Sequence, residues 1–289
     1  MKRREWFQLI GTALAGAPQA VGKTVATDGV LKAGEFSISV PEKWKATALI
    51  EKVPSKPLYT EAEWKAHQAD PQMSYKPSYE NRPEHWALRF PAASPKGIEL
   101  DLANAGDDPT ASQILIHKAS EWPMILTDGK HEEPGTRNTL KGLRERMDAA
   151  LVKDDRQLSP AFADASQTFM CLKQRLDFDG GHGVRMLAQW TIEPQLLRRG
   201  ELQYFFFGMS DDDSCQILAT FPVILPGLPT GESTEHLGRS LAKYEQFTRN
   251  FAAYSKEATT WLGQHAGEIT PGLDQLDAVI KSLVARRWT

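Results

Sequence analysis

In the segment LQYFFF, which begins at Leu202, every residue except Gln203 has a large apolar or aromatic side chain. Alternate residues of a strand face opposite sides, so Leu202, Tyr204 and Phe206 share one face while Phe205 and Phe207 share the other. Both faces of this strand are therefore apolar. Such a strand must lie in the centre of a sheet that is covered on both sides, and helices have to supply the cover on at least one side.

The segments around this strand are predicted to form an antiparallel meander. Its four strands lie at 168–178, 183–193, 201–208 and 215–223. Glycines at Gly180 and Gly181 mark the first turn, and the aspartates Asp211–Asp213 mark the third. The sheet is therefore expected to be mainly antiparallel.

Helices are predicted where apolar residues recur at intervals of three or four. One spans Thr136 to Leu151, and one long helix covers most of Ser233–Gln264. A last helix is predicted at 271–285, with Thr270 as its N-cap and Pro271 at its first position. With the sheet, these helices predict a single α+β domain over 33–289, a mainly antiparallel sheet sandwiched by helices with a long C-terminal helical segment.

The N-terminal half is less regular. Residues 35–51 are predicted to form a strand, a turn at Pro41-Glu42-Lys43 and a second strand. Residues 54–95 form an irregular excursion rich in proline and aromatic residues, with a helix at Glu61–Ala69. Further short strands are predicted at His85–Phe90, Gly97–Leu102 and Gln113–Lys118.

Composition excludes some partners. The chain has 289 residues, of which 41% are hydrophobic, and this is enough for a sizeable core. Its formal net charge is −3, and its cationic residues form no basic stripe. Proteins that bind nucleic acid need clustered lysine and arginine to displace counterions from phosphate, so no nucleic-acid partner is expected.

The first residues resemble an export signal. MKRREWFQLIGTALAGA has a basic start, a short apolar run and small residues before a cleavage position. The pair Arg3-Arg4 ahead of Trp6 and Phe7 resembles the twin-arginine signal. We expect a signal at 1–15, with cleavage up to residue 20, no membrane span after its removal, and a periplasmic or secreted protein. A short cytosolic amphipathic helix is the alternative interpretation.

Two resemblances bear on the fold. Tyr204 to Pro229, with its acidic turn, Phe221-Pro222-Val223 and a final Leu-Pro, is similar to a pattern in uncharacterised exported bacterial proteins. The stretch FSISVPEKW from Phe36 resembles the opening of PsbP-like domains. That resemblance implies an antiparallel sheet between helices and a binding or assembly factor that is not an enzyme.

No catalytic or metal-binding motif is present in the sequence. The seven histidines are scattered, and no H-E-x-x-H, C-x-x-C, G-x-S-x-G or P-loop pattern occurs. The sequence therefore predicts no catalytic residues, no cofactor and no metal. The Asp211–Asp213 triplet is interpreted as a solvated hairpin tip, with calcium binding as the alternative.

The two cysteines are predicted to stay apart. Cys215 is in phase with Ile217 and Phe221 on the core face, whereas Cys171 is in phase with Lys173 on a more polar face. Thiols on opposite faces cannot form a disulfide, although export would permit one.

A partner is predicted to bind the aromatic excursion, because rigid aromatic side chains lose little entropy on binding. The candidate residues are Tyr59, Trp64, Tyr75, Tyr79 and Trp86. Packing of these rings against the domain is the alternative.

The function expected is a non-enzymatic cell-envelope protein that binds or assembles an unknown envelope protein or ligand. The alternatives are an envelope hydrolase in which His85, His117 or His182 meets a nucleophile and a carboxylate, and an exported cofactor carrier.

Overall fold

The computed structural model describes most of the chain. The described residues are 29–70, 81–95, 111–132, 140–152, 158, 166–231 and 233–288. The predicted signal at 1–15, the predicted strand at Gly97–Leu102, and Tyr75 and Tyr79 lie outside the described residues.

The strands and helices alternate irregularly along the chain. The strands are β1 (Gly29–Ala33), β2 (Phe36–Val40), β3 (Leu49–Val53), β4 (His85–Arg89), β5 (Gln113–Lys118), β6 (Ser166–Phe178), β7 (Gly181–Thr191), β8 (Gln203–Ser210), β9 (Cys215–Pro222), β10 (Glu235–His236) and β11 (Arg239–Ser240). The α-helices are α1 (Glu42–Lys45), α2 (Glu61–Ala69), α3 (Leu140–Val152), α4 (Tyr244–Arg249), α5 (Phe251–Gln264) and α6 (Leu273–Lys281). A 3₁₀ helix at Ala119–Met124 follows β5 directly.

Seven strands form one sheet in the order β3-β4-β5-β9-β8-β7-β6. Every neighbouring pair is antiparallel, and β6 to β9 follow one another as a meander. The first half of the chain extends this meander, because β5 pairs with β9 and then β4 and β3 follow. The prediction of an α+β fold with a mainly antiparallel sheet is confirmed.

Strand β8 has apolar side chains on both faces, as its sequence predicts. Leu202, Tyr204 and Phe206 belong to one buried cluster, the first core cluster, together with apolar residues of α5 and α6. Phe205 and Phe207 belong to another, the second core cluster, which includes residues of α3. The alternating side chains of β8 therefore contribute to two apolar clusters, one on each face of the sheet.

The N-terminal hairpin differs from the prediction. β2 is a strand, but its partner is β1, with which it forms a separate two-stranded sheet. The residues predicted as a turn begin the short helix α1, and the second predicted strand is β3, which lies in the seven-stranded sheet. The turn that joins β1 to β2 contains Gly34, whose φ of 59° lies in the left-handed region that glycine favours.

The C-terminal quarter corrects two further predictions. The predicted helix at Ser233–Gln264 is interrupted, because Leu237 and Gly238 have positive φ and turn the chain into the β10–β11 hairpin, and Asn250 separates α4 from α5. Thr270 is not an N-cap. Its backbone forms two hydrogen bonds with that of Ile224, so α6 begins at Leu273. Within the described residues, no helix is both long and apolar enough to cross a membrane.

Candidate functional site

The structure separates the aromatic residues that were predicted to bind a partner. Tyr59 and Trp64 lie together, with ring centroids 5.6 Å apart, and His67 stacks on Tyr59 at 5.2 Å. All three are buried in a small cluster. Trp86 lies on β4, is half-buried and packs against the first core cluster. Tyr59 and Trp64 therefore use most of their surface for packing, and a partner-binding role for the five residues stays a prediction.

The excursion is anchored where it precedes α2. The amide of Leu58 donates to the carbonyl of Ile125, and the amide of Tyr59 donates to that of Thr127. Thr60 then begins the helix with a capping box, in which its hydroxyl accepts from the amide of Glu63 and its own amide donates to the Glu63 carboxylate. This part of the excursion is therefore held against the segment that follows β5.

Two histidines meet on neighbouring strands of the seven-stranded sheet. His85 of β4 and His117 of β5 are directly opposite in the strand register, with ring centroids 4.9 Å apart. Both are buried, and Gln216 of β9 lies opposite His117 on its other side. We call His85 and His117 the histidine pair. It faces the second core cluster, because its residues alternate with those that point to the first.

The ring nitrogens of the histidine pair differ in their hydrogen bonds. The Nδ1 of His85 lies 2.9 Å from the carbonyl oxygen of Pro83. A carbonyl only accepts, so Nδ1 carries the proton and Nε2 of the neutral ring presents a lone pair. Among the described residues, His85 Nε2, both ring nitrogens of His117 and Oε1 of Gln216 have no hydrogen-bond partner.

Burial keeps both rings uncharged. It lowers the pKa of His117 well below the usual 6.5, and the charges of His85 and Arg82 act in the same direction. Burial also lowers the pKa of His85, against the opposing effect of its hydrogen bond to Pro83. Each ring is therefore a neutral imidazole at neutral pH.

The 3₁₀ helix at Ala119–Met124 closes the site. The ring of Trp122 lies 5.4 Å from that of His117, and it is fully buried. The amide of Ala119 donates to Ser214, and Glu121 accepts from the amide of Glu84, so the segment is tied to the approaches of both β9 and β4. The histidine pair is therefore held in a closed, mainly apolar setting.

A third histidine meets charges of a different kind. His182 lies 3.8 Å from an oxygen of Asp148 and 3.6 Å from one of Asp211, and both carboxylates are exposed. No hydroxyl or thiol in the described part of the chain hydrogen-bonds its ring. The hydrolase alternative, which needs a nucleophile beside one of these histidines, stays a prediction.

The acidic triplet forms the turn between β8 and β9. Asp212 accepts hydrogen bonds from the Ser210 hydroxyl and the Ser214 amide, and Asp213 accepts from Arg144. Two of the three carboxylates thus accept hydrogen bonds within the protein, and the third, Asp211, lies near His182. Over the described ranges, no three side chains of histidine, cysteine, aspartate or glutamate are grouped so as to hold a metal ion.

Comparison with known proteins finds no matching family, curated protein or solved structure. The resemblances to exported bacterial proteins and to PsbP-like domains therefore stay predictions.

The sequence contained one signal for the histidine pair: His85 and His117 stand near opposite ends of two predicted strands. Antiparallel pairing of those strands would have placed them side by side, but a further strand predicted between them at 97–102 hid this arrangement.

Proposed function

We propose that this chain is an exported, non-enzymatic protein of the bacterial cell envelope, which binds a ligand or partner and holds a ligand at the histidine pair. Support for export comes from the basic and apolar sequence of the first 15 residues. Support for a PsbP-like arrangement comes from the apolar clusters on both faces of the sheet, to which α3, α5 and α6 contribute. PsbP-like domains are mostly binding or assembly factors, so the analogy agrees with a binding role.

The observation that carries the binding role is the histidine pair with its unpartnered nitrogens. A buried polar atom that loses water without gaining a partner costs about 1–3 kcal/mol of stability. Apolar residues would avoid this cost, as Ala87 and Leu115 do in the next row of the same two strands on the same face. A polar group that lowers stability in a core position is typical of a functional site.

The substitution His117→Leu tests this role without knowledge of the ligand. It removes two unpartnered nitrogens at similar volume, so we expect the free energy of unfolding to rise by about 1–3 kcal/mol. For a chain of this size, each kcal/mol raises the melting temperature by about 2–4 °C. Urea unfolding and thermal melting of the purified chain measure both quantities.

His236→Leu is the matched control. His236 is also buried, and its Nδ1 shares a hydrogen bond of 2.8 Å with the hydroxyl of Tyr254, so that only its Nε2 has no partner among the described residues. Its replacement removes that hydrogen bond together with one unpartnered nitrogen, so the two effects oppose each other and we expect a net change of no more than about 1 kcal/mol. If His117→Leu stabilised the chain no more than His236→Leu does, the histidine pair would be a structural feature and the proposed ligand position would be wrong.

Export is tested separately. A fusion of residues 1–30 to a reporter that is active only outside the cytoplasm is expected to be active, and Arg3→Lys with Arg4→Lys is expected to abolish that activity. Activity that survives the double replacement would exclude the twin-arginine route. A reporter retained in the cytoplasm would exclude export.

A further inference from the structure

We propose that the ligand held by the histidine pair is a copper(I) ion, bound by His85 Nε2 and one ring nitrogen of His117, with Oε1 of Gln216 as a weak third donor. This inference rests on the proposed function. All three side chains are buried and lie side by side on β4, β5 and β9.

The hydrogen bond of His85 prepares its ring for a metal. Histidines that bind metals usually donate their other ring proton to a carbonyl or carboxylate, which fixes the tautomer and the orientation of the ring. The Nδ1 of His85 has this contact with Pro83 at 2.9 Å. Its Nε2 is buried and without a partner among the described residues, so its lone pair is free to bind an ion.

The spacing of the two rings suits a shared ion. Two imidazoles whose nitrogens lie about 2.0 Å from one ion have centroids roughly 5 to 5.5 Å apart for bond angles between tetrahedral and trigonal. The centroids of His85 and His117 are 4.9 Å apart. Gln216, opposite His117 in the register, contributes an amide oxygen with no partner in the described part of the chain.

The charge of the surroundings selects a monovalent ion. The donors are two neutral imidazoles and one neutral amide, so nothing in this set compensates a second positive charge. Around His85 the charges of Arg82 and Arg89 outweigh the opposing charge of Glu51, and Arg82 also acts on His117, so the surroundings add positive charge. Burying an uncompensated charge is costly, and the cost rises steeply with the charge. Imidazole binds copper well, and copper(I) carries a single charge, whereas zinc carries two.

The cysteines are the competing donors for copper(I). Thiolates are soft ligands, and Cys171 and Cys215 are both free. They belong to the first core cluster, on the other side of the sheet from the histidine pair. Burial raises the pKa of both thiols, so neither is a ready thiolate at neutral pH. Variants can therefore separate the two kinds of site.

The test is an anaerobic titration of the full chain with copper(I) against the chromophoric chelator bicinchoninate. Because the pair is closed off from solvent, copper(I) is added both to the folded chain and during refolding. We expect one equivalent to be bound. His85→Leu and His117→Leu are each expected to weaken binding by about 100-fold or more, while His236→Leu and the double variant Cys171→Ala with Cys215→Ala leave it unchanged.

X-ray absorption of the copper-loaded wild-type chain is the second measurement, and it does not depend on the folding of any variant. We expect a first shell of nitrogen and oxygen with imidazole scattering. Four results would overturn the proposal. They are sulfur in the first shell, binding that survives both histidine replacements, tighter binding of zinc(II) than of copper(I), and no uptake of copper under either condition. The two proposals can fail separately. If the chain does not bind copper but His117→Leu still stabilises it, the copper assignment is wrong and the proposed ligand position stands.

Discussion

Arg185 keeps a charge inside the protein because acceptors surround its guanidinium group. Asp277 of α6 accepts two hydrogen bonds from it, at 3.0 and 2.8 Å, and the carbonyl of Leu172 and the side chain of Gln174 accept the others. The hydroxyl of Tyr204 donates to the same carboxylate at 2.9 Å. Burial acts to lower the pKa of Arg185, but Asp277 outweighs it and the pKa is raised. Strands β7 and β8 are thus joined to α6 through one buried ion pair.

Removal of one partner tests this pair at the scale of single residues. In Asp277→Asn the guanidinium stays buried without its counter-charge, so we expect the free energy of unfolding to fall by about 3–5 kcal/mol. Tyr204→Phe is the control, because it removes one hydrogen bond to Asp277 and keeps the ion pair, at a cost of about 1–2 kcal/mol. Urea unfolding of the two variants measures the difference. Equal losses would mean that the ion pair does not dominate the energy of this network.

Among the elements, β6 shows how an irregular strand misleads a sequence prediction. Its register with β7 shifts between Cys171 and Gln174, where Leu172 has a φ of 49°. A bulge of this kind reverses the alternation of side chains along the rest of the strand. Both Cys171 before the bulge and Leu176 after it therefore belong to the first core cluster. The prediction that Cys171 and Cys215 face opposite sides of the sheet was wrong.

The two cysteines are nevertheless free, for a different reason. Strand β6 lies three places from β9 in the sheet order. Neighbouring strands are about 4.8 Å apart, so the two backbones are separated by about 14 Å. A disulfide requires α-carbons within about 7 Å, which this sheet does not allow. Strict alternation along one strand could not reveal this, because the order of strands is set by contacts between distant segments.

The other elements likewise differ between what local sequence predicts and what distant contacts determine. Helix α2 and strand β5 begin and end at the predicted residues, because local periodicity and strand-forming residues define them. The helix predicted over most of Ser233–Gln264 was too long. A periodicity of three to four residues does not indicate that Leu237 and Gly238 adopt left-handed conformations. The histidine pair needs β4 to pair with β5 across residues 90–112, and no local pattern specifies that pairing.

At the scale of the whole molecule, the sheet has a seam where its two halves meet. The meander of β6 to β9 is local in sequence, whereas β5 reaches β9 from about 100 residues earlier. Across this seam His117 faces Gln216, and His85 lies one strand further on. Neutral imidazoles therefore lie where the two halves of the largest sheet meet. The stability of the folded protein must depend on these rings remaining uncharged.

That dependence predicts how the whole protein responds to acid. The pKa of both rings is lowered in the folded state, whereas the unfolded chain titrates near 6.5. Below pH 6.5 the unfolded state therefore binds more protons than the folded state, and stability falls as the pH falls from 6.5 toward the folded pKa values. Each histidine contributes a slope of up to about 1.4 kcal/mol per pH unit. Above pH 6.5 the contribution is complete and no further change is expected from this pair.

Urea unfolding of the wild type and of His85→Leu with His117→Leu, between pH 7.5 and 5, measures this slope. Over that range most carboxylates stay ionised in both states, so the difference between the two profiles isolates the pair. We expect the wild type to lose stability more steeply below pH 6.5, by up to about 2.7 kcal/mol per pH unit, which is the sum for two histidines. His236→Leu is the control, since it retains the pair; burial also lowers the pKa of His236, so we expect this variant to lose only the slope of one histidine and to stay steeper than the double variant. Parallel profiles for the wild type and the double variant would show that the seam tolerates charged histidines, and the neutral state assigned to the pair would then be incorrect.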